Sequence, residues 1–389
     1  MKKASNVLIG VTGGVAAYKI LELLRLLVKK GFKVKVVLTR SAEKFVTPFS
    51  FLSLGAEEVF TDDMQFSVIN GSSIHLYLSK WADVALVAPA TADFIAKARA
   101  GIADNLLLTT LLAFPKTVLF APAMNENMLI KPITQNNIEA LKSIGWKVIE
   151  PEEGYLANLE VGKGRLKEPE DIFEDILVAL YPKPLKGKRV LVTCGATKEF
   201  IDPVRFITNG SSGKMGIALA KVARRLGAEV TLIYGDIREK LPNVMKKIRV
   251  TTTEDMFEAV KGEVENNDIL IMAAAPADYM PKEFSREKLP KKDNLILELQ
   301  STVDILKGIK DIKGDRCFVG FALQTEYLIE NAKKKLEEKD LDFIVANMPE
   351  NIASDNGKIV LIDNSGNTFE YEGNKEDVAE FILSKIIGG

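Results

Sequence analysis

Between Thr193 and Ala223 the chain reads TCGATKEFIDPVRFITNGSSGKMGIALAKVA, a polar loop that runs into an apolar helical repeat. Thr197, Asn209, Ser211 and Ser212 carry hydroxyl or amide side chains, and Gly210, Gly213 and Gly216 allow a ligand close to the backbone. Ile217, Leu219, Ala220 and Val222 put a buried helix face just behind Lys214. A helix N-terminus behind glycines and hydroxyls suits phosphate, because its first amides are unpaired and the dipole points its positive end at the loop. Met215 follows Lys214 where a Walker loop needs Ser or Thr, so this is not a P-loop. A plain tight strand–helix turn needs the same glycines and stands as the alternative.

The first half holds a second set of groups. His75 is the single histidine, hence the one side chain that titrates near neutrality without help from its surroundings. A histidine packed for structure is the bland reading of it. APATADFIAK (88–97) and APAMNENM (121–128) each follow an apolar run with small residues, a hydroxyl or amides.

These residues need a scaffold, and the pattern supplies one. A strand (Asn6–Val11), a Thr12-Gly13-Gly14 turn, a helix (Ala16–Lys30), a Gly31 stop and a strand (Lys33–Leu38) make a βαβ unit, so a parallel sheet with right-handed crossovers is expected. Ala82–Pro89 and Lys116–Met124 are almost wholly apolar, as strands covered on both faces should be, and Trp146–Pro151 reads as another strand. Polar loops follow at Thr12–Gly14, Thr39–Ser41, Ala90–Asp93 and Asn125–Asn127, at strand carboxyl ends where open α/β sheets bind ligands. After Tyr181–Lys188, with its two prolines and a glycine, the strand–loop–helix pattern restarts. Further strands are expected at 228–235, 268–276, 316–322 and 341–347, then a hairpin turning at Asn364–Asn367.

A chain of 389 residues exceeds a single core, so two domains are expected, 1–182 and 183–389. With 52 Lys and Arg against 53 Asp and Glu, nothing steers the protein to nucleic acid or a membrane surface. Cys194 and Cys317 make no disulfide framework, and no CxxC is present for zinc. No stretch reaches the ~18 uninterrupted apolar residues of a spanning helix. A cytoplasmic enzyme is the expectation.

GATKEFIDPVRFITNGSSGKMG resembles the signature of phosphopantothenate–cysteine ligases. The motifs around Thr91 and Asn125 are similar to those of homo-oligomeric, flavin-containing cysteine decarboxylases. Together, in this order, they resemble the bifunctional phosphopantothenoylcysteine decarboxylase / phosphopantothenate–cysteine ligase family of coenzyme A synthesis. The resemblance implies an α/β chain of two Rossmann-like, doubly wound domains, an N-terminal flavoprotein and a C-terminal ligase. It implies FMN lined by Gly13, Ser41, Ala90, Thr91 and Met124, with His75 as the base and Asn125 holding the substrate carboxylate. GYLANLEVGKGRL (154–166) matches a substrate-clamping flap, with Arg165 in place. It departs at Asn158, where the family carries the cysteine that protonates the enethiolate left by CO₂ loss; an amide is no acid. Tyr155 or water is then needed to finish the reaction, or the chain is a flavin protein with an active ligase and a decarboxylase that stalls.

For the second half the resemblance implies an acyl-nucleotide made from 4'-phosphopantothenate and CTP (or ATP) with Mg²⁺, then attacked by cysteine. Asn209 would meet the acyl-nucleotide, Ala274, Asp278 and Phe321 the nucleotide, and Lys288, Lys335 and Lys339 the phosphates. For the lysines, a solvated helix face is the bland alternative. Trimeric decarboxylase units joined through ligase dimers, up to a dodecamer, are implied as well. An NAD(P)-dependent reductase is the rival that the two Rossmann-like openings suggest. It needs an acidic residue after the second strand, where the chain has Leu38-Thr39-Arg40-Ser41.

Overall fold

The structure, a computed structural model, describes residues 5–155, 160–291, 293–323, 327–348 and 354–388. It separates into two compact units, Met1–Tyr181 and Pro182–Gly389.

In the first unit, β1 (Asn6–Val11), β2 (Lys33–Leu38), β3 (Glu58–Thr61), β4 (Val84–Ala90), β5 (Val118–Pro122) and β6 (Lys147–Val148) form a sheet in the order β3-β2-β1-β4-β5-β6. All neighbours are parallel. Alternate side chains leave a strand on opposite faces. Val7, Ile9 and Val11 therefore enter one core layer with the helices Lys19–Lys29 and Pro169–Leu180, and Leu8 enters the other with Ile74–Trp81 and Leu106–Leu112. Burial on both faces is why β4 is apolar throughout. The helix expected from Ala16 opens instead as a 3₁₀ turn, Val15–Tyr18, because Ala17 N bonds back only three residues, to Gly14 O at 3.0 Å. An antiparallel ribbon, β7 (Glu152–Tyr155) and β8 (Val161–Arg165), carries the flap sequence. Asn158 lies outside the described residues.

The second unit contains β9 (Arg189–Cys194), β10 (Lys198–Phe200), β11 (Phe206–Thr208), β12 (Glu229–Tyr234), β13 (Lys246–Arg249) and β14 (Ile269–Met272). It continues with β15 (Tyr279–Pro281), β16 (Leu299–Ser301), β17 (Cys317–Leu323), β18 (Phe343–Asn347), β19 (Asn356–Asp363) and β20 (Thr368–Asn374). The main sheet runs β13-β12-β9-β14-β17-β18-β19-β20. Its first six strands are parallel and the last two return antiparallel through the expected hairpin. β10 pairs with β11 and β15 with β16 as small separate ribbons.

The helix Lys214–Arg225 lies directly on β9. Gly216 makes that approach: a Cβ there would stand 2.2 Å from Cys194 Cβ and 2.9 Å from Thr193 O. Gly216→Ala is therefore expected to destabilise the second unit by about 1–3 kcal/mol through overpacking. Gly262 sits inside the helix Thr253–Val264, where an added Cβ meets nothing within 4 Å. Gly262→Ala should stabilise by about 0.5–1 kcal/mol from helix propensity alone. Urea unfolding of both variants checks this, and equal midpoints would refute the close-packing account.

Candidate functional sites

Strand order reverses between β1 and β4, which opens a crevice at their carboxyl ends. Thr12, only 3% exposed, spans it: its hydroxyl donates to Pro89 O at 2.6 Å and accepts Thr91 N at 3.1 Å. Thr91 in turn caps the helix Ala92–Arg99 by accepting Phe94 N at 3.3 Å. Two cavities flank this pair and share Gly13 and Thr91. One, of about 750 Å³, is walled by small and apolar groups including Gly14, Ala92, Ala123, Met124 and Met128. The other, of about 450 Å³, is lined by Thr39, Arg40, Ser41, Asp62 and Lys97. Gly13 packs on Ser41 so closely that a Cβ on it would lie 2.4 Å from Ser41 Cβ.

The flap closes the larger cavity from one side. Gly164, at φ +125°, accepts Met124 N at 3.1 Å, and a Cβ there would lie 2.1 Å from Met124 O. Only glycine fits that approach. Asn125 lines the same cavity, and its side-chain oxygen accepts Asn127 N at 2.9 Å. Its NH₂ group is the end suited to an incoming carboxylate. Arg165, also in the wall, pairs with Glu168, and Glu168 takes Lys19 Nζ at 3.0 Å as well. One carboxylate thus orients two cations of the wall.

Gly13, Ser41, Thr91, Met124, Asn125 and Arg165 are therefore brought together around the joined cavities. Ala90 is fully buried in β4 and contributes its carbonyl to Ala123 N at 3.1 Å. His75 is half-buried as the second residue of the helix Ile74–Trp81 and lines neither cavity of its own chain. Tyr155, a minor alternative in the sequence, stands in the wall of the larger cavity.

The second crevice opens between β9 and β14 by the same reversal. Thr193 is fully buried and its hydroxyl accepts Ala274 N at 3.1 Å. Asn209 lies against the following segment, donating to Ala275 O at 3.2 Å and Pro276 O at 2.8 Å. Its amide is engaged by backbone here. Asp278 joins through Thr302 N, which donates to Asp278 O at 3.0 Å, and Asp304 two residues on holds Lys339 Nζ at 3.0 Å. Lys335 stands one helical turn before Lys339 on the same helix face. Phe321 lies on β17 beside Gly320, whose register partner is Met272, the last residue of β14. Lys288 is exposed, next to Leu289, which is bonded to Asp202. Lys292 and 324–326 lie outside the described residues.

Neither cysteine offers an acid. Burial pushes the Cys194 thiol up to about 12. Burial and then Asp342 outweigh Lys313 and push Cys317 up to about 12 as well. Among the described residues no three His, Cys, Asp or Glu side chains are grouped to hold a metal ion, and no helix is long and apolar enough to cross a membrane.

Residues 1–180 match the family described as Flavoprotein, and residues 185–388 match the DNA/pantothenate metabolism flavoprotein C-terminal domain. The coenzyme A biosynthesis bifunctional protein CoaBC of Bacillus subtilis is 47% identical, over 88% of this chain and 85% of its own length. That of Escherichia coli is 37% identical over 98% of this chain and 96% of its own. This chain belongs to the CoaBC family. It is a bifunctional ligase and decarboxylase of coenzyme A biosynthesis, built from two Rossmann-like domains. A crystal structure of a CoaBC C-terminal domain is 39% identical, over 53% of this chain and 96% of that one, with a TM-score of 0.47.

A thiol at pKa about 12 is thiolate in only about one molecule in ten thousand at pH 8. A maleimide at that pH is expected to label neither cysteine of the folded chain and both after denaturation. Rapid labelling of one native thiol would overturn the burial account.

Proposed function

We propose that the second unit joins cysteine to 4'-phosphopantothenate through an acyl-nucleotide, with CTP as the nucleotide and ATP as its alternative. The first unit then decarboxylates that product with FMN to 4'-phosphopantetheine. The observation that carries the flavin half is the pair of cavities meeting at Gly13 and Thr91. An apolar-walled space suits a fused ring system, and the adjoining pocket with Arg40, Ser41 and Thr39 suits a phosphorylated tail. The same Arg40 after β2 speaks against an NAD-dependent reductase, whose cofactor ribose wants a carboxylate there.

Bound there, FMN supplies the reversible two-electron oxidation that makes an unactivated amino-acid carboxylate a leaving group. The chain's own residues do the rest. The Asn125 NH₂ group holds the substrate carboxylate, and Arg165, steadied by Glu168, adds a cation to the wall. His75 takes the thiol proton. Because His75 is outside both cavities of its own chain, it is presented to a neighbour's, within the trimeric unit that the family resemblance implies. The final protonation falls to Tyr155. It lines the cavity, whereas the Asn158 amide is no acid and both thiols belong to the other unit, Cys194 buried and Cys317 half-buried.

In the ligase unit, Asn209, Ala274, Asp278 and Phe321 receive the acyl-nucleotide, and Lys288, Lys335 and Lys339 its phosphates. Mg²⁺ enters with the nucleotide as substrate, its ligands being phosphate oxygens and water. Asn209 leaves its two backbone carbonyls to meet the acyl phosphate.

Two outcomes follow. The chain as written, given phosphopantothenate, cysteine, CTP and Mg²⁺, should release 4'-phosphopantetheine over many turnovers, and Tyr155→Phe should accumulate an enethiol lacking two hydrogens. Mass spectrometry separates these products; full turnover by Tyr155→Phe, or enethiol from the unaltered chain, removes Tyr155 from the role.

For His75, mixed oligomers of His75→Asn and Asn125→Asp chains should regain CO₂ release that neither variant shows alone. Mixtures as inactive as their parents would place His75 in its own chain's site or outside catalysis.

A further inference from the structure

Asp202 has no part in the roles above, yet it is a fully bonded carboxylate of the ligase unit. It is wholly buried. Oδ1 accepts Val204 N and Arg205 N, both at 2.8 Å, and Oδ2 accepts Leu289 N at 3.2 Å. Arg205 closes the arrangement, with Nη1 3.4 Å from Asp202 Oδ2 and Nη2 donating to Leu289 O at 3.1 Å. Leu289 is thus gripped at its amide by Asp202 and at its carbonyl by Arg205. A further tie, Ser285 N to Ile201 O at 3.0 Å, anchors the same segment upstream of Lys288.

Asp202 and Arg205 sit in the turn between β10 and β11, and β11 ends one residue before Asn209. That ribbon is itself fixed to the unit. Lys198 N donates to Thr251 O at 2.8 Å, Thr208 Oγ1 to Thr197 O at 2.6 Å, and Thr253 N to the buried Glu199 at 2.7 Å. One rigid ribbon therefore carries Asn209 at its exit and the backbone next to Lys288 at its turn. Burial alone would raise the Asp202 carboxyl; three backbone amides and Arg205 more than offset that and hold it below the usual range.

We infer that Asp202 is a positioning residue for the ligation, a buried carboxylate that sets Lys288 in register with Asn209. This rests on the proposed role of Lys288 at the nucleotide phosphates. Lys288 keeps an exposed side chain free to meet a phosphate while its backbone neighbour is held. Misplacing such a group by about 1 Å costs on the order of 100-fold in rate.

A double-mutant cycle separates positioning from mere folding. The single-turnover rate of pyrophosphate release from CTP and 4'-phosphopantothenate, with cysteine omitted, is measured for the full chain and for Asp202→Asn, Lys288→Gln and the double variant. Asp202→Asn is expected to slow release by about 10- to 100-fold in the unaltered chain. In the Lys288→Gln background it should cost less than about twofold, because the group it positions is already gone. Equal factors in both backgrounds overturn the proposal and leave Lys288 in place. A Lys288→Gln chain as fast as the unaltered one removes the Lys288 reading, and this proposal with it. Should Asp202→Asn fail to fold, Arg205→Gln takes its place: it releases the Leu289 carbonyl but keeps both amides on Oδ1, and it must show the same non-additivity.

Discussion

Both units depend on one small interaction, a buried threonine hydroxyl at the end of the central strand. Where strand order reverses, neighbouring strands send their crossovers to opposite faces, and the backbone at the parting loses its ladder partner. A buried amide without a partner costs about 1–3 kcal/mol. In the first unit Thr12 accepts Thr91 N and donates to Pro89 O; in the second, Thr193 accepts Ala274 N. Each hydroxyl satisfies an amide just beyond the neighbouring strand, the first in one unit and the second in the other, and so holds the crevice open without an orphaned group. Thr91 and Ala274 are the residues from which each site's loop departs. Valine would fill either threonine's space and bond nothing.

With the same opening device, what distinguishes the sites is what the loops bring to it. In the flavoprotein unit the loops are small and apolar (Gly13, Gly14, Ala92, Ala123), and the result is a walled cavity with few charges, Lys19 and Arg165, in its wall. In the ligase unit the loops are long and polar, and their side chains bond other loops: Asn209 to the Ala275 and Pro276 carbonyls, Thr302 to the Ala277 carbonyl, Lys339 to the Asp304 carboxylate. The first arrangement suits a resident ring system that must be shielded from water. The second suits a charged substrate that arrives, exchanges these bonds for its own, and leaves.

Much of this was legible in the sequence for a physical reason: strands buried on both faces cannot hide. Val84–Ala90 and Ile269–Met272 are apolar throughout, and the glycines that stop helices or let loops approach stand where the turns are. The short ribbons Lys198–Phe200 with Phe206–Thr208 and Tyr279–Pro281 with Leu299–Ser301 were not legible. They are three residues long and mixed in polarity, too short for their pairing to give a periodicity that a sequence pattern could show. The separation of His75 from the cavities was equally invisible, since spacing along the chain says nothing of where a helix start lies in the folded unit.

The motif DPVR within the ligase signature shows most sharply what such a string leaves out. Read as text, Asp202 and Arg205 are a charged pair near a phosphate-binding loop, and a ligand-binding role would be the natural assignment. The structure buries Asp202 and lays a half-buried Arg205 against it. A buried carboxylate is tolerable only when its lone pairs are filled, and Asp202 fills them with three backbone amides and a guanidinium nitrogen. Two of those amides belong to its own turn, a local bond that an Asp at this position makes readily. The third belongs to Leu289, far along the chain, and nothing in the local sequence announces it. The charge needed for a tight turn thereby also fixes a distant segment, so a residue that meets no substrate constrains where Lys288 can stand.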